Sequence, residues 1–139
     1  MQVQPYLMFD GRCEEALDFY AQALGAQTMV LMRLRDSPEP PSGECASAAP
    51  PGDKVMHAEF HIGETALMAS DGDAGGRPVF QGISLALSSP SEAEARARFD
   101  ALADGGAGVM PLAKTFFSPA FGMVNDRFGV SWMVVTDAG

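Results

Sequence analysis

Histidine, cysteine and basic residues are all scarce in this chain. Only two of its 139 residues are cysteine. Cys13 and Cys45 have no zinc-type spacing, which speaks against a zinc site and for reduced thiols in a cytoplasmic protein. Lysine and arginine total 9 against 18 acidic residues, a net charge of −9 that is spread along the chain. That balance argues against nucleic acid and against anionic membrane surfaces as partners. No apolar run approaches a membrane span. MQVQPYLMFD has no basic region and no long apolar region, so no signal peptide is expected. What is present is apolar bulk. Hydrophobic residues make up 47% of the chain, enough for a core in one compact domain or two very small ones packed together.

Half of the ten prolines lie in DSPEPPSGECASAAPPGD, residues 36–53. No period of 2 or 3.6 runs through this stretch, which reads as a long surface loop. Loops of this length are flexible connections or lids over sites. The flexible connection is the plainer reading.

The two halves of the chain follow one plan. EEALDFYAQALGAQ places Ala16, Leu17, Tyr20, Ala23 and Leu24 at helical spacing, with Gly25 as the stop. SEAEARARFDALADGGA places Ala95, Phe99 and Leu102 on a stripe. Ser91 and Glu94 there have the spacing of a capping box. Phe19 and Phe99 each precede a glycine by six residues, an offset of 80 between the halves. VQPYLMF and ISLALS read as strands before the helices. TMVLMRL, VMHAEFHI and TALMAS follow the first helix; GVMPLA, FGMVND and VSWMVV follow the second. Each half is strand–helix–strand–strand–strand, two copies of one supersecondary unit. The fold class is therefore α+β with two tandem βαβββ units. Unit one covers about 1–71 and unit two about 83–137, within one domain spanning 1–139.

PYLMFDGRCEEALDFYAQALG, VMHAEFHIGETALMASD and FGMVNDRFGVSWMVV resemble the vicinal oxygen chelate superfamily, which holds glyoxalases, bleomycin-resistance proteins and extradiol dioxygenases. Within it the chain is similar to the PhnB-like branch. The resemblance implies that the two units pair into a curved mixed sheet around a cleft, and that the protein is a homodimer. Some members of that branch carry a demethylubiquinone methyltransferase name. A methyltransferase using S-adenosylmethionine usually needs a glycine-rich turn between a strand and a helix. DGDAGG, 71–76, follows a strand, but RPVFQG comes next without a helical pattern, so it reads as a linker. Enzymes of the superfamily hold a divalent metal on their first and last strands, with glutamates at two of the positions. The matching positions here are Met68 and Met133, with first-strand counterparts near Val3 or Pro5 and near Ser84 or Leu85. None is a usual ligand for a hard or borderline cation. The resemblance thus implies a cleft without the usual metal centre.

HAEFHIG contains both histidines. Alternation puts His57, Glu59 and His61 on one face and Ala58, Phe60 and Ile62 on the other. His57 and His61 would have Cα atoms about 13 Å apart on a regular strand, too far for one ion. One ion can take a neighbouring pair, such as His57 with Glu59, and that pair needs a third ligand, from Asp71 or a partner chain. Solvated or hydrogen-bonded polar residues are the plainer reading.

The nine methionines read mostly as core fillers. Met68 and Met133, at the implied ligand positions, instead suit a pocket for a small apolar or aromatic ligand. His57 and Glu59 then orient a polar group on it, and Phe116, Phe117 and Phe121 in TFFSPAFG either close the pocket or belong to the core. Cys13 opens a helix, where the dipole lowers a thiol pKa, but packing is the commoner use. The leading expectation is a small-molecule binding protein of the bleomycin-resistance type, with His57, Glu59, Met68, Met133 and Phe121 at the site and no cofactor. One alternative is a metal-dependent lyase, isomerase or dioxygenase with one divalent ion at His57 and Glu59. Another is a structural or regulatory dimer with a vestigial cleft.

Overall fold

A computed structural model describes residues 1–33, 54–72 and 79–137. The proline-rich 36–53 loop and Cys45 lie outside the described residues, as does most of DGDAGG. The chain divides into two compact units, Met1–Pro78 and Val79–Gly139.

Unit one runs β1 (Tyr6–Met8), α1 (Cys13–Leu24), β2 (Gln27–Arg33), β3 (Val55–Ile62) and β4 (Thr65–Ser70). Unit two runs β5 (Leu85–Ser89), α2 (Glu92–Ala103), β6 (Ala107–Ala113), β7 (Phe121–Asn125) and β8 (Ser131–Thr136). The sheets have the orders β1-β4-β3-β2 and β5-β8-β7-β6. In each, the first strand runs parallel to the last, and the other pairings are antiparallel. This is the α+β, two-fold βαβββ plan expected from the sequence.

Period-2 patterning decides which face of each sheet its helix covers. Ala58 and Phe60 of β3 and Leu67 and Ala69 of β4 are buried with Ala16, Leu17, Tyr20 and Leu24 of α1. The Tyr20 ring stacks on Phe60 at 6.2 Å. In unit two, Val124, Trp132 and Val134 are buried with Ala95, Phe99 and Leu102 of α2. Gly122 is required there, because a Cβ would lie 2.8 Å from the Phe99 ring. Each of the leucine, valine and phenylalanine side chains among them contributes about 1.5–3 kcal/mol by leaving water.

The helix ends follow local chemistry. Gly25 adopts φ 71° and closes α1, its N–H reaching back to Ala21. The Ser91 hydroxyl caps α2 by accepting from the Glu94 N–H at 3.2 Å. The start of α1 is different: Arg12 at its cap makes no side-chain cap. Asp71, 4% exposed, supplies it from the end of β4. One carboxylate oxygen accepts from the N–H groups of Gly11 and Cys13, each at 2.9 Å. The other accepts from the Val55 N–H at 2.7 Å. Unit two has its own buried carboxylate, Asp126, 3% exposed. It accepts from Phe128 N–H, Val130 N–H and the Trp132 indole, which closes the turn between β7 and β8.

β2 and β6 are edge strands, and both carry register shifts where they pair with their neighbours. Such bulges and the exposed Pro111 on β6 blunt an edge against further strand pairing.

Candidate functional site: the helix-free sheet faces

The face of each sheet turned away from its helix carries the candidate residues. In unit one, strand register places Tyr6 beside Met68, Met68 beside Glu59, and Glu59 beside Val30. That is a row Tyr–Met–Glu–Val across all four strands. In unit two the matching row is Ala86–Met133–Met123–Met110. Next to it run Ser88, Val135, Phe121 and Ala113. Since Met68 and Met133 occupy equivalent places, Glu59 corresponds to Met123 and His57 to Phe121. Two copies of one scaffold thus present a polar set in unit one and an apolar set in unit two.

His57, Glu59 and His61 do share this face, and all are half-buried. They do not converge. The Tyr6 hydroxyl lies 3.1 Å from His57 Nδ1, and the two rings are 5.6 Å apart. β4 lies between β1 and β3, so this contact spans the intervening strand. His61 Nε2 instead faces Glu59 at 3.8 Å, an ion pair when the imidazole is protonated. Asp71 is committed to three backbone amides. No group of three or more His, Cys, Asp or Glu residues is placed to hold a metal among the described residues.

The family's metal positions can be tested directly. The first-strand neighbours of Met68 and Met133 are Tyr6 and Ala86, one residue beyond Pro5 and Leu85. Tyrosine, alanine and two thioethers do not fit the donor set of a hard or borderline divalent cation.

The methionines depart from the core-filling role suggested by sequence. None of the nine is buried; Met32, Met56, Met68, Met123 and Met133 are half-buried and the rest exposed. Several sit on the helix-free faces, where an unbranched thioether can adapt to a partner. Their number was visible in the sequence, but their shared rows needed the strand register. Tyr6, Met110 and Met123 were missed for the same reason.

The phenylalanines are placed unequally. Phe121 is half-buried on the unit-two face, and Phe117 packs edge-on against it at 5.1 Å. Phe116 is fully exposed and Phe117 49% exposed, so neither is core. Their turn is held by Thr115, whose hydroxyl accepts from the N–H groups of Phe117 and Ser118. Beside it lies an open pocket of about 330 Å³ lined by Glu92 and residues 114–119.

Cys13 is fully buried. Burial, with Asp71 and Glu14 adding to it, pushes its thiol up to about 12. This is opposite to the lowering that a helix start alone produces, and it leaves an inert thiol at neutral pH.

Among the described residues, neither helix start is open to an anionic group. The β1–α1 turn, with Gly11 at φ 95°, already holds the Asp71 carboxylate. The α2 start follows Ser89-Pro90-Ser91 and is capped by Ser91. The two described strand–helix turns therefore do not fit S-adenosylmethionine on a glycine-rich turn.

A family model described as 3-demethylubiquinone-9 3-methyltransferase matches residues 1–135. Protein PA1353 from Pseudomonas aeruginosa is 43% identical, with a TM-score of 0.83 over 99% of this chain and 98% of that one. A Bacillus cereus PhnB protein, described as a putative 3-demethylubiquinone-9 3-methyltransferase, is 29% identical, with a TM-score of 0.76 over 98% and 99%. A glyoxylase/bleomycin resistance protein/dioxygenase domain from Frankia sp. EAN1pec is 16% identical, with a TM-score of 0.66 over 99% and 98%. This last likeness is one of fold. With its duplicated βαβββ plan, the chain belongs to the PhnB-like family that bears the 3-demethylubiquinone-9 3-methyltransferase name, and its fold is like that of the glyoxylase/bleomycin resistance/dioxygenase domain.

Proposed function

We propose that this protein binds a small apolar or aromatic molecule, in the manner of bleomycin-resistance proteins, with His57, Glu59, Met68, Met133 and Phe121 as its binding set. The observation that carries this reading is the placement of methionine. Met110, Met123 and Met133 form a continuous row on the helix-free face of unit two, and Met68 holds the equivalent place in unit one. Thioethers at half-buried and exposed surface positions suit an apolar ligand and not a hard cation. His57 and Glu59 supply the polar contacts that orient it.

Calorimetric titration with 2-acetylnaphthalene, with and without chelator, is the test. Binding is expected without dependence on metal. Met68→Glu or Met133→Glu should weaken it about tenfold, because a carboxylate without a partner is costly against an apolar ligand. Binding that a chelator abolishes, together with stoichiometric metal lost in His57→Ala, would favour a metalloenzyme instead.

A homodimer in the cytoplasm belongs to the same reading. It is supported by the superfamily resemblance and by the exposed Met29, Val30, Val109 and Met110 on the edge strands. Light scattering at high protein concentration should give twice the chain mass, and a monomer mass would reject it. No described helix is long and apolar enough to cross a membrane.

A further inference from the structure

We propose that Tyr6 is a positioning residue that makes His57 a one-sided hydrogen-bond donor, so that the molecule bound carries an accepting oxygen or nitrogen beside its apolar part. The inference rests on the binding function just proposed and names the chemistry of its ligand. It starts from the 3.1 Å contact between the Tyr6 hydroxyl and His57 Nδ1. A neutral imidazole has one donor and one acceptor nitrogen, and the bond made by one decides the role of the other. The phenol is the stronger donor of the two groups, so it donates to Nδ1. The proton of His57 then resides on Nε2, the nitrogen not engaged by Tyr6.

Position supports this division of roles. Tyr6 is 38% exposed and His57 half-buried, so the pair is accessible yet held. The ring contact at 5.6 Å limits rotation of the imidazole. Two register neighbours of the pair on the same face are thioethers: Met68 adjoins Tyr6 and Met32 adjoins His57. His61 Nε2 lies 3.8 Å from Glu59, beyond hydrogen-bond reach, and among the described residues neither side chain hydrogen-bonds to the Tyr6–His57 pair. An N–H donor among thioethers selects a carbonyl-type acceptor over a hydrocarbon. In unit two the equivalent of His57 is Phe121, which has no such group, so the donor is specific to unit one.

Long-range proton–nitrogen NMR reads imidazole tautomers directly, and with two histidines in the chain the spectrum is simple. Wild-type His57 is expected as the Nε2–H tautomer. Tyr6→Phe keeps the ring and removes the hydroxyl, and should leave a mixture of tautomers. Nδ1–H in wild type, or an unchanged tautomer in Tyr6→Phe, would overturn the proposal. This arm needs no ligand, so it stands whether or not the binding function does. The second arm compares 2-acetylnaphthalene with 2-isopropylnaphthalene, which has the same number of heavy atoms but no acceptor. Wild type should prefer the ketone about fivefold, the worth of one hydrogen bond. The preference should shrink in Tyr6→Phe and vanish in His57→Ala. Equal binding of the two compounds by wild type would overturn the selection of an acceptor. Binding of neither would overturn the ligand proposed here along with the binding function, while the tautomer still decides the role of Tyr6.

Discussion

Asp71→Ala should cost about 4 kcal/mol of stability, the loss of a charged acceptor shared by three buried or part-buried backbone amides. The side chain joins the turn before α1, the first residue of α1 and the first residue of β3. It also places a negative charge at the positive end of the helix dipole. Alanine leaves the Gly11, Cys13 and Val55 N–H groups without that acceptor. Asp71→Asn keeps one accepting oxygen but turns an NH2 group toward a remaining donor, so about half of the loss is expected. Urea denaturation measures both. A folded domain has about 5–15 kcal/mol in all, so the alanine variant should show a large fall in midpoint. An alanine variant within 1 kcal/mol of wild type would mean that water or local rearrangement replaces the carboxylate.

The second large effect concerns pH. The folded thiol of Cys13 lies near 12, against an ordinary value of 9.0. Below pH 9 the thiol is neutral in both the folded and unfolded chain, and its contribution is fully present. Above pH 9 the unfolded chain loses this proton while the folded chain retains it. Stability then falls with rising pH, by a slope approaching about 1.4 kcal/mol per pH unit. The loss continues until the folded value near 12 is reached. Tyrosine and lysine also ionise in this range, so the comparison is with Cys13→Ala. That variant loses some packing at every pH, but it lacks the thiol's alkaline slope. The gap between the two proteins should therefore narrow from pH 9 to pH 11. A constant gap would show that the thiol is not held neutral. Burial is the larger cause of the shift, with Asp71 second, so Asp71→Asn should bring the thiol down only in part.

These two residues also show where sequence reading stops. β3 and β4 span the residues read from alternation, because one of their faces is buried and period 2 then leaves one register. Gly25 and the Ser91–Glu94 pair were legible because a helix end is decided by a few adjacent residues. Asp71 was not. It stands in DGDAGG, where an aspartate before glycine reads as a turn residue, and its partners lie 58 and 60 residues away at Cys13 and Gly11. Its charge also adds to the burial that reverses the effect of a helix start on Cys13. The Tyr6–His57 contact, 51 residues apart, needed the register of three strands. The methionines were misjudged for a related reason. Alternation places Met68 and Met133 opposite buried neighbours, but their joining with Met123 and Met110 into rows depends on which strands are adjacent.

The central claim is that the methionine-bearing sheet faces bind a small molecule, and methyl-labelled methionine tests it most directly. With nine methionines in the chain, carbon-13 methyl spectra resolve each one, and single substitutions assign them. On titration with 2-acetylnaphthalene the methyl signals of Met123 and Met133, neighbours in one row, should move together and saturate at one ligand concentration, that of Met68 should also move, and that of the exposed Met1 should stay in place. Signals that do not move at millimolar ligand, or movement confined to methionines outside these rows, would contradict the account.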